Sequence, residues 1–361
     1  MAPAVQLTNR YTAVPDIVAA KGAGQNIAEF KKEFALDEEN QVRLVKISHM
    51  RYQHPDLAEI TQFLQDFGMV VAKQTEDKVW YRGYSTDQYV HYAQEGPRKF
   101  LGGTFEVQSF ADLEMAANLP GATTIEELTD TPGGGHIVTV TDPARFPVNF
   151  IHGQTPVQGG DVPPKLIVNY EQEKPRKRAF QRFEPGPAAV HKLGHFGLCV
   201  TDFSSQLDFY ITNFNIIPRD FLYVEEDGQK RKVAVFAYID RGEDYVDHHT
   251  FFLGTAGSNH VHHCFFEVHD FDTQELASKG YKSVWGVGRH ILGSQIFDYW
   301  WDTTGNMIEH YADGDLVNDQ TPINFEPAGD ESLAVWGTRV AQSILGLNVS
   351  PSFLVRAQTG R

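Results

Sequence analysis

Three side chains in the C-terminal half of this sequence, His195, His263 and Glu309, offer two neutral nitrogens and one anionic oxygen. Such a set can cap one face of an octahedral divalent ion and leave adjacent positions open for other ligands. That arrangement suits non-haem iron(II), with manganese(II) as the usual substitute. An ordinary structural reading competes with it. A lone His on a strand is more often a satisfied core residue than a ligand, fifteen histidines make accidental pairs easy, and Glu309 could merely cap a sheet edge. What favours a metal is the place these three residues hold in a repeated pattern.

The elements that would position them occur twice. Residues 42–50 predict a strand, and 55–67 a helix with Leu57, Ile60, Leu64 and Phe67 on one face. Residues 193–200 predict a strand again, and Asp202 offers an N-cap to a helix carrying Leu207, Tyr210, Ile211 and Phe214. The run 104–110 parallels 265–271, and each is expected to open into a short helical stretch. The turn from Thr141-Asp142-Pro143 to Asn149 parallels the turn from Trp301-Asp302-Thr303 to Glu309. These matches keep one order at near-constant separation, so the chain is expected to be an internal duplication of strand–helix–strand units. Equivalent positions hold His195, His263 and Glu309 in the second half but His49, Gly102 and Asn149 in the first. Only the second half offers a full set. His262 rivals His263, because adjacent strand residues face opposite sides. The repeat register, counted back from Glu267 and Glu106, selects His263.

The 361 residues are enough for two domains with a core that needs no staples. A hydrophobic content of 41% with 22% charged residues is that of a globular protein. The formal charge of −16 argues against a nucleic-acid or anionic-membrane partner. Only Cys199 and Cys264 occur, each in an apolar run, so a disulfide framework is not expected and a reducing, cytoplasmic compartment is. No signal peptide is visible, and no apolar run approaches the ~20 residues needed to span a bilayer. The expected organisation is an extension at 1–40, a first domain at 41–152 without metal, a linker or surface excursion at 153–190, a metal-binding domain at 191–312 and a tail at 313–361. The linker is rich in Gly and Pro, and its basic run 174–178 is read as solvated. The extension and tail wrap the domains or meet another subunit, and the sequence leaves both open. A homo-oligomer is expected.

At these candidate ligands the sequence takes on the pattern of a known family. Gly194-His195-Phe196, the run from His262 to Val268, and Gly286-Val287-Gly288-Arg289-His290 leading to Tyr299 and Glu309 resemble the type I extradiol ring-cleavage dioxygenases of the vicinal oxygen chelate superfamily. The resemblance spans about 42–312 and is specific in the C-terminal half. Two positions depart from the family signature. Asp298 stands where an apolar residue precedes the tyrosine, which puts a charge beside Tyr299, and Thr303 replaces a turn proline. The resemblance implies an α+β fold of two tandem domains, each made of paired βαβββ modules forming an open barrel. It also implies that His195, His263 and Glu309 hold Fe(II), or Mn(II) in its place. The partners it implies are a small aromatic diol and O2. His249 lies where the family has a further histidine upstream of the second ligand, and His290 and Tyr299 match the remaining polar residues around the substrate. His249 is the expected proton shuttle, with His248 beside it as the rival choice, and Tyr299 and His290 are expected to orient substrate or oxygen. Trp285, Trp300 and Trp301 are expected in the core or pocket wall. Two other functions stay open. One is an oxygenase of α-keto acids resembling 4-hydroxyphenylpyruvate dioxygenase, and the other is a non-catalytic module that binds an aromatic ligand.

Overall fold

The structure, a computed structural model, describes residues 11–14, 24–226 and 228–338. Helix α1 (Ile27–Glu33), capped by the Asn26 side chain, precedes the first sheet. That sheet follows as β1 (Leu44–His54), α2 (Leu57–Phe67), β2 (Val70–Gln74), β3 (Lys78–Arg82) and β4 (His91–Glu95). It continues with β5 (Lys99–Val107), α3 (Phe110–Ala117), β6 (Glu126–Glu127), β7 (His136–Thr141) and β8 (Pro147–His152). The second half runs through β9 (Val190–Val200), α4 (Phe203–Asn213), β10 (Ile216–Glu226), β11 (Gln229–Ile239), the short β12 (Val246–Asp247) and β13 (Phe251–Thr255). Then come β14 (His260–Val268), β15 (Ser283–His290), β16 (Ile296–Trp301) and β17 (Met307–Ala312). The chain goes on through β18 (Leu316–Val317), β19 (Asn324–Pro327), the short helix α5 (Asp330–Leu333) and β20 (Ala334–Gly337).

Strand order shows the duplication directly. The first sheet is ordered β2-β3-β4-β1-β5-β8-β7-β6, and the second contains β10-β11-β13-β9-β14-β17-β16-β15. The permutation is the same, so each sheet is a pair of modules, and the fold is α+β with two curled, open half-barrels. Local chemistry sets the helices. Asp56 accepts from the Ala58 and Glu59 amides to start α2, and Asp202 accepts from the Ser205 amide to start α4. The helical stretch expected after β14 is absent. Residues 270–280 form successive turns, because Gly186 of the linker donates its N–H to the Thr273 carbonyl at 2.7 Å and pairs beside Gln274. A backbone held in a bridge to another segment cannot also wind into a helix.

The two halves pack reciprocally. Phe67, at the end of α2, stacks on His310 of the second sheet with ring centres 3.6 Å apart. Phe214, at the end of α4, stacks on Phe150 of the first sheet at 4.9 Å. Both contacts belong to one hydrophobic cluster that runs through both sheets. Residues 324–337 join this frame: β19 pairs with β10 and β20 with β15, at the two edges of the second sheet. Between the sheets, 153–187 runs without strands apart from the Gly186 bridge, and it exposes Val162, Tyr170 and Phe180. Cys199 and Cys264 are buried and unpaired. Among the described residues no helix is long and apolar enough to cross a membrane.

Candidate metal centre

Sheet register brings the three expected ligands together. On β14, Phe265 is paired with His195 of β9 on one side and with Glu309 of β17 on the other. Directly paired residues share a face, and His263 lies two positions before Phe265, so period-two alternation puts all three side chains on one surface of the curled sheet. Tyr299 of β16 is paired with Glu309 and joins the same face, next to Trp285 of β15. A register shift between Val261 and His263 marks a bulge at His262. The bulge lets His262 line the pocket as well, with its Nδ1 2.6 Å from Nδ1 of His263.

The ligand atoms converge. His195 Nε2 and His263 Nε2 are 2.7 Å apart, and His263 Nε2 is 3.6 Å from Glu309 Oε2. Among the described residues these three form the one His/Cys/Asp/Glu group whose ligand atoms all lie within 4.8 Å. Packing fixes their rotamers. The His195 ring lies between those of Phe265 at 3.9 Å and His249 at 4.1 Å. Room for the His263 ring depends on Gly197, where a Cβ would stand 3.2 Å from it and 2.8 Å from Phe252.

Electrostatics fit a cation at this point. Burial, with the neighbouring imidazoles adding to it, holds His195 and His263 well below the usual histidine range, so both are neutral, the form that coordinates. Glu309 is fully buried. Neither of its oxygens accepts a hydrogen bond of good geometry, although the Tyr299 hydroxyl lies beside it, and burial pushes its carboxyl well above the usual range. A buried carboxyl with only the Tyr299 hydroxyl beside it, facing two imidazole lone pairs, matches the donor set of a divalent ion. The first half shows the contrast. Asn149 donates to the carbonyls of Leu101 and Gly103 at 3.0 and 3.3 Å, and Thr139 donates to its Oδ1 at 2.7 Å. Gly102 has φ +108°, and a Cβ there would meet Asn149 Nδ2 at 2.4 Å. That amide is already satisfied, and among the described residues no metal-ligating group of three forms around His49.

Around the centre, His290 reaches Tyr299 Oη with Nε2 at 3.2 Å and Glu309 Oε1 at 3.6 Å. Its Nδ1 donates to the Leu333 carbonyl at 2.7 Å, and burial lowers the ring to about 4. His249 lines the pocket from the loop before β13, against His195 and Phe236, and is not part of the ligand group. The remaining wall includes Leu222, Phe236, Phe252, Trp285, Leu292 and Leu333, and among the described residues no Lys or Arg lines it. Asp298 is beside Tyr299 in sequence only. Alternation sends it to the opposite face, where Gln274 donates to it at 2.9 Å and burial raises it to about 7. Thr303 replaces the expected proline at no loss of the turn, which Asp302 closes by accepting from the Thr304 and Asn306 amides. Sequence reading missed Gln295, whose Oε1 is buried without a partner in the pocket wall, and Ser332 and Leu333, which come from the tail. Short segments at a sheet edge carry no periodic signal that would have revealed the latter.

No family model matches the chain. It is 28% identical to metapyrocatechase 2 of Cupriavidus necator, over 82% of this chain and 90% of that protein. Its fold is similar to that of homoprotocatechuate 2,3-dioxygenase from Arthrobacter globiformis, with TM-score 0.67 at 19% identity, covering 84% of this chain and 91% of the other. The Mn(II)-bound glyoxalase of Novosphingobium aromaticivorans superposes with TM-score 0.67 at 16% identity, over 84% of this chain and 94% of that one.

Proposed function

We propose, from the premise that the chain belongs to the type I extradiol dioxygenases of the vicinal oxygen chelate superfamily, that it opens the ring of a neutral aromatic vicinal diol with O2 at an iron(II) held by His195, His263 and Glu309. The observation that carries this reading is the orphaned Glu309 carboxylate facing two converging imidazole nitrogens under an apolar pocket. His195, His263 and Glu309 would hold iron, or manganese(II) in its place, which would supply a redox-active Lewis-acid centre for the reaction of diol and O2.

The chain's own residues do the rest. The apolar wall packs against the ring and keeps water out, which strengthens every polar contact inside. The absence of Lys and Arg among the described lining residues favours a diol without a carboxylate. His249 takes the phenolic proton and returns it when the O–O bond breaks, since one imidazole can act as both base and acid. Tyr299 gives its one hydroxyl proton to Nε2 of His290, so its oxygen can accept from a substrate hydroxyl. His290, locked by the Leu333 carbonyl, holds Tyr299 in place.

Oxygen uptake decides between this and the rival activity. Iron-loaded protein is expected to consume O2 with a catechol, release no CO2 and form a yellow ring-opened product. Oxygen-dependent CO2 release from an aromatic pyruvate, with no turnover of any diol, would instead make the chain a keto-acid oxygenase. Diol binding without oxygen uptake would make it a binding module.

A further inference from the structure

We propose that Asp220 and His248 are positioning residues for His249, fixing the tautomer that has its proton on Nδ1 and its lone pair on Nε2. The inference rests on the diol reading above for the proton that this lone pair receives. Asp220 of β10 is 1% exposed, and His248 and His249 are 3% and 4% exposed. His248 Nε2 lies 2.8 Å from Asp220 Oδ2, bent away from a linear hydrogen bond, and the Asn324 side chain also approaches the carboxyl. On the other edge of the ring, His248 Nδ1 lies 3.1 Å from His249 Nδ1. The backbone holds the pair, with the His248 amide donating to the Asp315 carbonyl at 3.0 Å.

The direction of this chain follows from its end. Burial alone would raise the Asp220 carboxyl, but His248 and then Arg219, whose Nη1 is 3.3 Å from Oδ1, carry it below the usual range. An ionised carboxylate only accepts, so Nε2 of His248 carries the N–H. The base role of His249 needs a bare Nε2 and so a proton on its Nδ1, and Nδ1 of His248, 3.1 Å away, can accept that proton's hydrogen bond only when the single proton of its own ring sits on Nε2, facing Asp220. That arrangement keeps the lone pair of His249 on Nε2. When the diol O–H bond breaks, an N–H bond forms at Nε2 and the electron pair stays on the oxygen. The resulting imidazolium already donates to a neighbour backed by a carboxylate, so no group has to reorient to stabilise it.

Asp220→Asn tests the arrangement, because an amide N–H can face His248 Nε2 and reverse every hydrogen bond in the row. The same logic explains why an aspartate that orients a histidine cannot be replaced by asparagine in serine proteases. In iron-loaded protein we expect unchanged metal content and KM, with kcat on an unactivated catechol lower by about 10²–10⁴. A second reading does not use turnover. Nitrocatechol, whose absorbance reports its ionisation, should bind without oxygen in a less ionised form to Asp220→Asn than to the parent. His248→Gln should give the same two results, the double variant should be no worse than either single one, and Asp220→Glu should recover part of the loss. Parent kcat and a parent nitrocatechol spectrum in Asp220→Asn would overturn the inference. If that variant does not fold, His248→Gln decides by the same readings. A parent that ionises nitrocatechol but turns over no diol defeats the diol reading alone, and one that does neither defeats both.

Discussion

Glu309 and Asn149 hold equivalent strand positions, and their surroundings decide what each can bind. Asn149 is saturated by two carbonyls and a threonine hydroxyl, while Glu309 has no good donor and faces two imidazoles. His263→Ala is therefore expected to lose nearly all bound iron or manganese in metal analysis, and His49→Ala to retain it. Equal loss in both would remove the assignment of one site to one half. His249 lies against His195 but outside the ligand group, so His249→Phe is expected to keep its metal and still bind a diol. Its turnover should fall by about 10²–10⁴, and less for catechols with electron-withdrawing groups, which ionise without help. Steady-state rates on a graded series of catechols check this. The convergence of His195, His263 and Glu309 was legible in the sequence because the repeat gave it a register. Asp220 was not, because it meets His248 only once β10, β11 and β13 have paired. No spacing along the chain encodes that contact.

At the scale of elements, the segment from α5 through β20 acts on the site, mainly through its backbone. The Leu333 carbonyl accepts from His290 Nδ1, the Thr338 carbonyl accepts from Trp285 Nε1 at 2.8 Å, and the Leu333 side chain closes part of the pocket. Ending the chain after Gly329 should leave metal content unchanged while lowering kcat/KM for a diol by about tenfold or more, the worth of one positioned hydrogen bond. Kinetics paired with metal analysis measure this, and an unchanged kcat/KM would show that the segment contributes nothing to the site. Helices α2 and α4 were legible from their apolar faces and caps. Strands β19 and β20 were not, since each is only four residues at a sheet edge. The helical stretch expected after β14 failed for a different reason: the linker claims the backbone at Thr273 and Gln274.

Across the whole molecule, duplication explains both the reciprocal packing of the halves and the restriction of the metal set to one of them. The same architecture stores a pH-dependent strain at Asp298, which is 2% exposed and raised to about 7 by burial. A carboxyl raised in the folded state favours folding while protonated, and that contribution fades as pH rises from about 4, its unfolded value, through about 7. Asp298→Asn should therefore gain stability relative to the parent across that window and hold a constant advantage above it, on the order of 3–4 kcal/mol. Urea unfolding at pH 4.5, 6 and 8 follows the difference, and a gap independent of pH would mean that Asp298 is not strained. Fold class and duplication were readable from one sequence because hydrophobic periodicity and repeat order survive divergence. The face that Asp298 occupies became clear only with the strand in place. Both atoms of O2 are expected to enter an opened aromatic ring at this one site. A single turnover of iron-loaded protein with a catechol under ¹⁸O2 measures this. The parent should give a ring-opened product carrying two labelled oxygens, and His263→Ala should form none. A parent product with only one labelled oxygen, or no product at all from fully loaded protein, would contradict it.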